Sequence, residues 1–278
     1  MKRIVIWLGQ ILVFWWLDRM LILIMAALFF GFTRIFCRIT VEGQQRVPRR
    51  GRVMFLANHP SYIGIFAVIY AVLWPWILWP GGLRMVPAAL AKDKYKPLWW
   101  ILTWRFNIIG VPPKQDKAGR SRVVARVIDY LGQPNCSVWN FPSGTRDEAP
   151  GQSQPFNPGV GRMVAQTKPK VVFVGEIGSA EVWSKGQSLP NWQWRFWYGI
   201  PLPRRRSVRI YISNPIDPAN CQTRLYQICQ SQPLDQVGQP VAEYLQLLFE
   251  VWLASQQSEE AVLNISGYEQ AIPDLLQL

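Results

Sequence analysis

One apolar segment near the start of the chain limits the folds and the surroundings that are possible for this protein. Residues 4–33 contain only Gln10, Asp18 and Arg19 as strongly polar breaks. A membrane-spanning helix needs about 20 apolar residues, and each half of this segment, before and after Asp18-Arg19, has about 14. Either one tilted span carries a costly internal charged pair, or two short helices lie in one leaflet with Asp18-Arg19 at the polar surface. We favour the two short helices.

Charge and tryptophan content favour a membrane as the partner surface. The chain has 30 Lys and Arg against 17 Asp and Glu, a formal charge of +13, and it contains 15 tryptophans. A strongly basic protein favours an anionic partner, and tryptophan gathers at membrane interfaces. Lys2 and Arg3 favour a cytoplasmic N-terminus. We therefore expect a membrane-associated protein on an anionic surface, with its functional site facing the cytoplasm and no nucleic-acid partner.

Two later aromatic segments fit the same expectation. Residues 63–80 carry no charge but are broken by Pro75, so a full span is disfavoured and a buried helix followed by a Trp-rich loop is expected. Residues 192–198 hold five aromatic side chains just before Arg204, Arg205 and Arg206. Aromatic rings beside a basic run suit docking on an anionic membrane. An ordinary packed hairpin beside a solvated charge run is the equal alternative.

The cysteines and the single histidine argue against a metal site. Cys37, Cys136, Cys221 and Cys229 form no C-x-x-C pair, and the chain has one histidine. We expect the cysteines to be reduced and mostly buried. No metal and no cofactor are expected.

Beyond the basic connector at residues 46–52, short β-like runs alternate with helical stretches. This alternation predicts an α/β fold, a mixed and mostly parallel sheet covered by helices. We expect an N-terminal apolar helical membrane segment over 1–44, an α/β domain over 45–215 and a helical extension over 216–278. The predicted strands are 52–57, 83–87, 107–111, 136–141, 171–177 and 207–212, and the predicted helices are 62–74, 93–105, 119–131, 157–167 and 240–256.

His59 is the strongest candidate for chemistry. It lies in FLANHPSYIG, after a strand-like run and before an apolar helix. Ligands in α/β folds bind at the carboxyl ends of strands. The positive end of the following helix disfavours protonation of the imidazole, so His59 is expected to be neutral near pH 7 and able to accept a proton. A capping or core role is the alternative.

Two further strand ends carry groups suited to anions. NFPSGTRDEAP, residues 140–150, offers turn N–H groups, the hydroxyls of Ser143 and Thr145, and the guanidinium of Arg146. IIGVPPKQDK, residues 108–117, places Lys114 after another strand-like run. Each of these could also be an ordinary surface loop.

Together the three segments resemble the glycerol-phosphate and lysophospholipid acyltransferase family. NHPSYIG looks like that family's N-H-x-x-x-x-D block, GVPPK looks like its G-x-I-x-x-x-R block, and FPSGTR looks like F-P-E-G-T-R. QPFNPGVGRMVAQTKPKVVFV is similar to the family's next run, and the resemblance covers roughly residues 45–215. Agreement at three ordered blocks is far more specific than agreement at one.

The resemblance implies transfer of a fatty acyl group from acyl-CoA or acyl-carrier protein to a hydroxyl of a glycerolipid or related lipid acceptor. His59 would be the general base that takes the hydroxyl proton, and Arg146 and Lys114 would contact phosphate. The thioester donor is a co-substrate, so the resemblance implies no resident cofactor. The substrate-binding residues implied are Asn58, Ser61, Lys114, Phe141, Pro142, Ser143, Gly144, Thr145 and Arg146.

Three positions depart from the family pattern. Gly64 stands where the family has an aspartate that orients the histidine, and the sequence has no Asp or Glu between Glu42 and Asp93. Ser143 stands where the family has glutamate, and Lys114 stands where it has arginine. These changes suggest a different acceptor, a carboxylate supplied from elsewhere such as Glu176, or lost catalysis. The alternative function is therefore a catalytically impaired protein that binds lipid or acyl carrier without turnover.

Overall fold

A seven-stranded sheet organises the described part of the chain. The computed structural model describes residues 37–59, 61, 71, 88–92, 109–113, 115–144, 154–182, 194–197, 200–203 and 205–257, together with Met20, Ile24, Ala27, Gly31 and Arg34. The strands of this sheet are β1 (Cys37–Glu42), β2 (Val53–Ala57), β3 (Ala88–Lys92), β4 (Ile109–Val111), β5 (Ser137–Asn140), β6 (Lys170–Ile177) and β9 (Arg206–Ile212). β7 (Trp194–Trp197) and β8 (Ile200–Pro203) form a separate antiparallel hairpin.

The strand order is β1-β9-β6-β2-β5-β3-β4. Every neighbouring pair in this sheet is parallel except β6 and β9, which run antiparallel. The predicted fold class, a mixed and mostly parallel sheet covered by helices, is confirmed. The central strands β2 and β6 are buried along almost their whole length, as expected for strands covered on both faces.

Four helices are described after β4. They are α1 (Lys117–Gly132), α2 (Pro158–Thr167), α3 (Arg224–Ser231) and α4 (Gly238–Ser255). The Asp116 side chain accepts a hydrogen bond of 2.7 Å from Gly119 N at the start of α1, and Thr223 accepts one of 3.1 Å from Tyr226 N at the start of α3. These caps use N–H groups that a helix start otherwise leaves unsatisfied.

One face of the sheet, here called the helical face, carries Met54, Leu56, Val138, Val171 and Phe173, which form a single core with buried side chains of the four helices. The predicted apolar stripe of α4 is confirmed, since all four residues of the stripe are buried. Phe249 of α4 meets Phe173 edge to face at 5.4 Å between ring centroids. The stripe residues are Val241, Leu245, Leu248 and Trp252.

The opposite face, here called the site face, carries a second core. Phe55, Ala57, Trp139, Val172 and Val174 belong to it, as do Cys37 and the alternate residues of β9. Ala71, the described residue of the helix predicted at 62–74, is helical and fully buried in this core. Its carbonyl oxygen accepts a 2.7 Å hydrogen bond from Gln44 Nε2.

Several sequence predictions fall partly or wholly outside the described residues. The strand predicted at 83–87 and the helix predicted at 93–105 lie outside them, while β3 begins directly after the first of these at Ala88. Met20, Ile24, Ala27, Gly31 and Arg34 are helical. In the described part of the chain, no helix has the length and apolar character required to cross a bilayer.

Three described elements lie in the segments predicted at the two ends of the chain and in the aromatic segment. β1 lies within the segment predicted at 1–44, yet it is an edge of the seven-stranded sheet. α4, in the segment predicted at 216–278, contributes Phe249 and Trp252 to the core of the helical face. The hairpin of β7 and β8 spans much of the aromatic segment 192–198 and the residues that follow.

Candidate active site

The carboxyl end of β2 places His59 on the site face. Phe55 and Ala57 point to this face, and two residues further along the chain the His59 ring stacks on Phe141, with centroids 4.5 Å apart and planes at 30°. Phe141 follows β5, which lies parallel to β2 with Phe55 opposite Trp139. The ends of β2 and β5, where the sequence predicts site residues, therefore lie side by side, and the rings of His59 and Phe141 are in contact.

An aromatic row supports the imidazole from within the sheet. Phe55 and Trp139 stack with centroids 5.6 Å apart, and Trp139 and Phe141 meet at 6.1 Å. Phe55 and Trp139 are buried, whereas Phe141 and His59 are half-buried at the sheet edge. Nδ1 of His59 is itself buried. A ring held by offset stacking against a buried row keeps a defined orientation, which a general base requires.

The Asn58 side chain contacts the protein backbone. Its Nδ2 donates to the Glu176 carbonyl oxygen and its Oδ1 accepts from Glu176 N, both at 2.8 Å. This reciprocal pair extends the pairing of β2 with β6 by one step beyond Ala57. Asn58 thus fixes the backbone immediately before His59. The sequence predicted a substrate contact for Asn58 and did not indicate this backbone role.

The turn after β5 is closed by its own backbone. Gly144 N donates to the Phe141 carbonyl oxygen at 2.8 Å, and Gly144 has φ +63, a conformation that favours glycine. Both N and Nδ2 of Asn157 donate to the Pro142 carbonyl oxygen, at 2.9 and 2.6 Å. Asn157 is the N-cap residue of α2, so the turn is tied to the start of that helix.

Asn157 was not among the predicted site residues. Its signal in the sequence is the Asn-Pro-Gly run at 157–159, because proline favours the first position of a helix and asparagine favours the position before it. The hydrogen bonds to Pro142 depend on the packing of α2 under the sheet edge. Sequence reasoning could place the cap but not the turn it holds.

The other predicted site residues divide into two groups. Ser61 and Pro142 are buried, and Ser143 and Gly144 are half-buried beside Phe141. Lys114, Thr145 and Arg146 lie outside the described residues. The structure therefore brings together the segments 57–59 and 141–144, and the predicted phosphate contacts remain predictions.

A buried carboxylate lies on the same face. Glu176 is 2% exposed, and both of its carboxylate oxygens are buried. Burial raises the pKa of the Cys37 thiol to about 12, and the negative charge of Glu176 contributes to this rise. Burial also raises the pKa of Cys229 to about 11, against a smaller opposing effect of Lys168. Cys37, Cys136 and Cys229 are buried thiols, as expected, while Cys221 is exposed.

Across the described ranges, no group of three or more His, Cys, Asp or Glu side chains could hold a metal ion. The polar groups of the described site are the imidazole, a hydroxyl, turn N–H groups and a buried carboxylate. Such a set is suited to moving a proton at the carboxyl ends of the strands.

The fold and site define a class of protein, an α/β protein with a histidine at a parallel strand end beside a Phe-Pro turn. A family model described as acyltransferase matches residues 38–175, about half of the chain. The matched segment begins in β1 and ends in β6. The chain belongs to the acyltransferase family. A comparison with curated proteins found no match.

A solved structure shares the fold. The crystal structure of the 1-acyl-sn-glycerophosphate (LPA) acyltransferase PlsC from Thermotoga maritima matches with a TM-score of 0.54 and 20% sequence identity, over 82% of this chain and 81% of that one. At this identity the likeness shows the fold alone. The family model supports the family that the sequence motifs resemble, and the likeness of the backbone supports the predicted fold class.

Proposed function

We propose that this acyltransferase moves a fatty acyl group from acyl-CoA or acyl-carrier protein to a hydroxyl of a glycerolipid or related lipid acceptor, with His59 as general base. The observation that carries the proposal is the stacking of His59 on Phe141, which joins the NHPSYIG and FPSGT segments at one sheet edge. The Thermotoga maritima protein of the same fold is a 1-acyl-sn-glycerophosphate acyltransferase, which supports a glycerolipid acceptor.

The proposed reaction needs one proton carrier and no covalent enzyme intermediate. His59 accepts the proton of the acceptor hydroxyl while the oxygen attacks the thioester carbonyl. The C–S bond then breaks, and the leaving thiolate takes the proton from the imidazolium. Lys114 and Arg146 are proposed to bind phosphate of the acceptor or of the pantetheine-bearing donor.

A membrane-associated location with the site facing the cytoplasm belongs to the same proposal. It is supported by the apolar segment 4–33, the charge of +13 and the 15 tryptophans. In that setting a lipid acceptor reaches the sheet edge from the bilayer, and a water-soluble thioester donor reaches it from the other side. An anionic surface would hold the basic protein by electrostatic attraction.

The test is a transfer assay with product identification. Purified protein is incubated with labelled acyl-CoA or acyl-carrier protein and a panel of lysolipids and lipid alcohols, and lipid mass profiling identifies the product. His59→Ala should abolish transfer and leave membrane association intact. Transfer by His59→Ala at the wild-type rate would remove His59 from the mechanism.

A binding protein without turnover is the second candidate, favoured by Gly64 and Ser143 at positions where the family has acidic residues. It predicts that labelled acyl carrier or lysolipid binds to the wild-type protein and that no acylated product accumulates with any acceptor in the panel.

A further inference from the structure

The pairing of β2 with β6 brings Glu176 beside His59. The two strands are parallel, with Phe55 opposite Val172 and Ala57 opposite Val174. The same register, carried two residues further, sets His59 opposite Glu176. The reciprocal Asn58 hydrogen bonds to the backbone of Glu176 hold the chain alongside β6 at this point. Adjacent strands lie about 4.8 Å apart, so the two backbones are close.

Glu176 also points to the face that His59 occupies. Val172 and Val174 belong to the core of the site face, and side chains two residues apart on a strand share a face. The partner of Glu176 on β9 is Ile210, which is in the same core. His59 is placed on this face by its stacking on Phe141. Register and face therefore agree.

The environment of Glu176 is unusual for a carboxylate. It is 2% exposed among apolar neighbours, and burying a charge costs several kcal/mol unless another group compensates for it. Cys37 of β1 belongs to the same core, and the negative charge of Glu176 contributes to the raised pKa of its thiol.

Catalysis by His59 calls for a carboxylate that the segment after it in the sequence does not supply. The position five residues after His59 is Gly64, and no acidic residue occurs from Gly43 to Lys92. In His–Asp systems the anion orients the imidazole and stabilises the imidazolium, and its loss can lower kcat by about 10⁴. An anion delivered from a different strand can perform the same task if it faces the ring.

Building on the function proposed above, we propose that Glu176 is the positioning residue for His59. Its carboxylate, supplied from β6, orients the imidazole and stabilises the imidazolium that forms when the acceptor hydroxyl gives up its proton. The proton passes from the hydroxyl to His59 and then to the leaving thiolate, and Glu176 stays ionised throughout.

The single histidine of the chain makes a direct test possible. In protein labelled with ¹⁵N-histidine, every imidazole signal belongs to His59, and its titration gives the midpoint of protonation. A facing carboxylate favours the protonated ring. In Glu176→Gln, which keeps the backbone partners of Asn58, the midpoint should therefore move to lower pH by about one unit or more. Glu181→Gln is the matched control, because Glu181 is exposed, and its midpoint should match the wild type.

A midpoint in Glu176→Gln within about 0.2 pH units of the wild type, in protein with unchanged circular dichroism, overturns the proposal. Kinetics give a second, independent readout. Glu176→Gln should lower kcat by about 100-fold or more with KM changed less than about threefold, and Glu176→Gln/Gly64→Asp should recover at least about tenfold of that loss, because a carboxylate returns at the family position. A kcat for Glu176→Gln equal to that of the wild type overturns the catalytic role.

The two readouts separate this inference from the function on which it rests. If the wild-type protein transfers no acyl group but the midpoint moves in Glu176→Gln, the proposed function fails and the pairing of Glu176 with His59 stands. If transfer occurs and neither the midpoint nor kcat responds, the function stands and the role of Glu176 is refuted.

Discussion

Replacement of Asn58 by alanine removes both hydrogen bonds that tie the end of β2 to β6. Each is 2.8 Å long and joins the side-chain amide to the backbone of Glu176. A buried polar group left without its partner costs about 1–3 kcal/mol. Because Asn58 is half-buried, water recovers part of the loss, so we expect Asn58→Ala to lower the free energy of unfolding by about 2–4 kcal/mol.

The same substitution should affect catalysis through His59. With the chain no longer held against β6, the imidazole loses its fixed position over Phe141, and a displacement of about 1 Å can cost about 100-fold in rate. We expect kcat to fall by about that factor with KM for the lipid acceptor nearly unchanged. Urea unfolding and the acyl-transfer assay measure the two effects on the same preparation.

The control for Asn58→Ala is Gln239→Ala. Gln239 Nε2 donates a 2.6 Å hydrogen bond to Glu243 Oε1 on the exposed surface of α4, where such a pair contributes about 0.5 kcal/mol or less. If Asn58→Ala raised KM for the acceptor while leaving kcat and stability at wild-type values, the amide would be a direct substrate contact. The role of Asn58 in holding the backbone before His59 would then be refuted.

Three further predictions concern the core, the thiols and the N-terminal segment. Phe249→Ala should lower the free energy of unfolding by about 3–5 kcal/mol, because Phe249 is fully buried, while Leu234→Ala at a 55% exposed position should change it by no more than about 0.5 kcal/mol; equal urea midpoints for the two variants would contradict this packing. Burial raises the pKa of Cys37 to about 12 and that of Cys229 to about 11, from 9.0 for an unperturbed thiol. The contribution of these protonated thiols to the free energy of unfolding is therefore full below pH 9.0 and is lost as the pH rises toward the pKa values of the folded protein. Urea unfolding at pH 8 and pH 10 should show this loss of stability, and the loss should be smaller in the double variant Cys37→Ala/Cys229→Ala. An equal loss in the double variant would mean that other groups cause it. Deletion of residues 1–33 should release the protein partly from anionic vesicles in a flotation assay, because the aromatic segments also dock; complete retention on the vesicles would contradict an anchoring role for the deleted segment.

Most strands of the sheet could be predicted because they are short apolar runs bounded by turn residues. The strands predicted at 52–57, 136–141, 171–177 and 207–212 agree with the structure to within a residue at either end. β1 was missed because its residues alternate between buried and exposed at the sheet edge and directly follow a much stronger apolar signal. α3 was missed because its apolar stripe covers only eight residues.

Part of the candidate site could likewise be predicted from the sequence, and part of it could not. That His59 and the turn after β5 lie at one sheet edge follows from their positions at the ends of parallel strands. The partners of Asn58 and the position of Glu176 could not be predicted, because they depend on β6 lying beside β2 with β5 on the other side. Strand order arises from non-local packing, and no local pattern around Asn58 or Glu176 encodes it.

The position of β1 has a consequence for synthesis of the chain. β1 pairs with β9, whose first residue follows Glu42 by roughly 160 positions. At ribosomal rates of about 5–20 residues per second, the strand waits on the order of 10 to 30 seconds for its partner. The chain before β1 thus leaves the ribosome well before pairing with β9 can fix the position of β1. If the apolar segment 4–33 docks on a bilayer as proposed, it has that interval in which to do so before the sheet is completed.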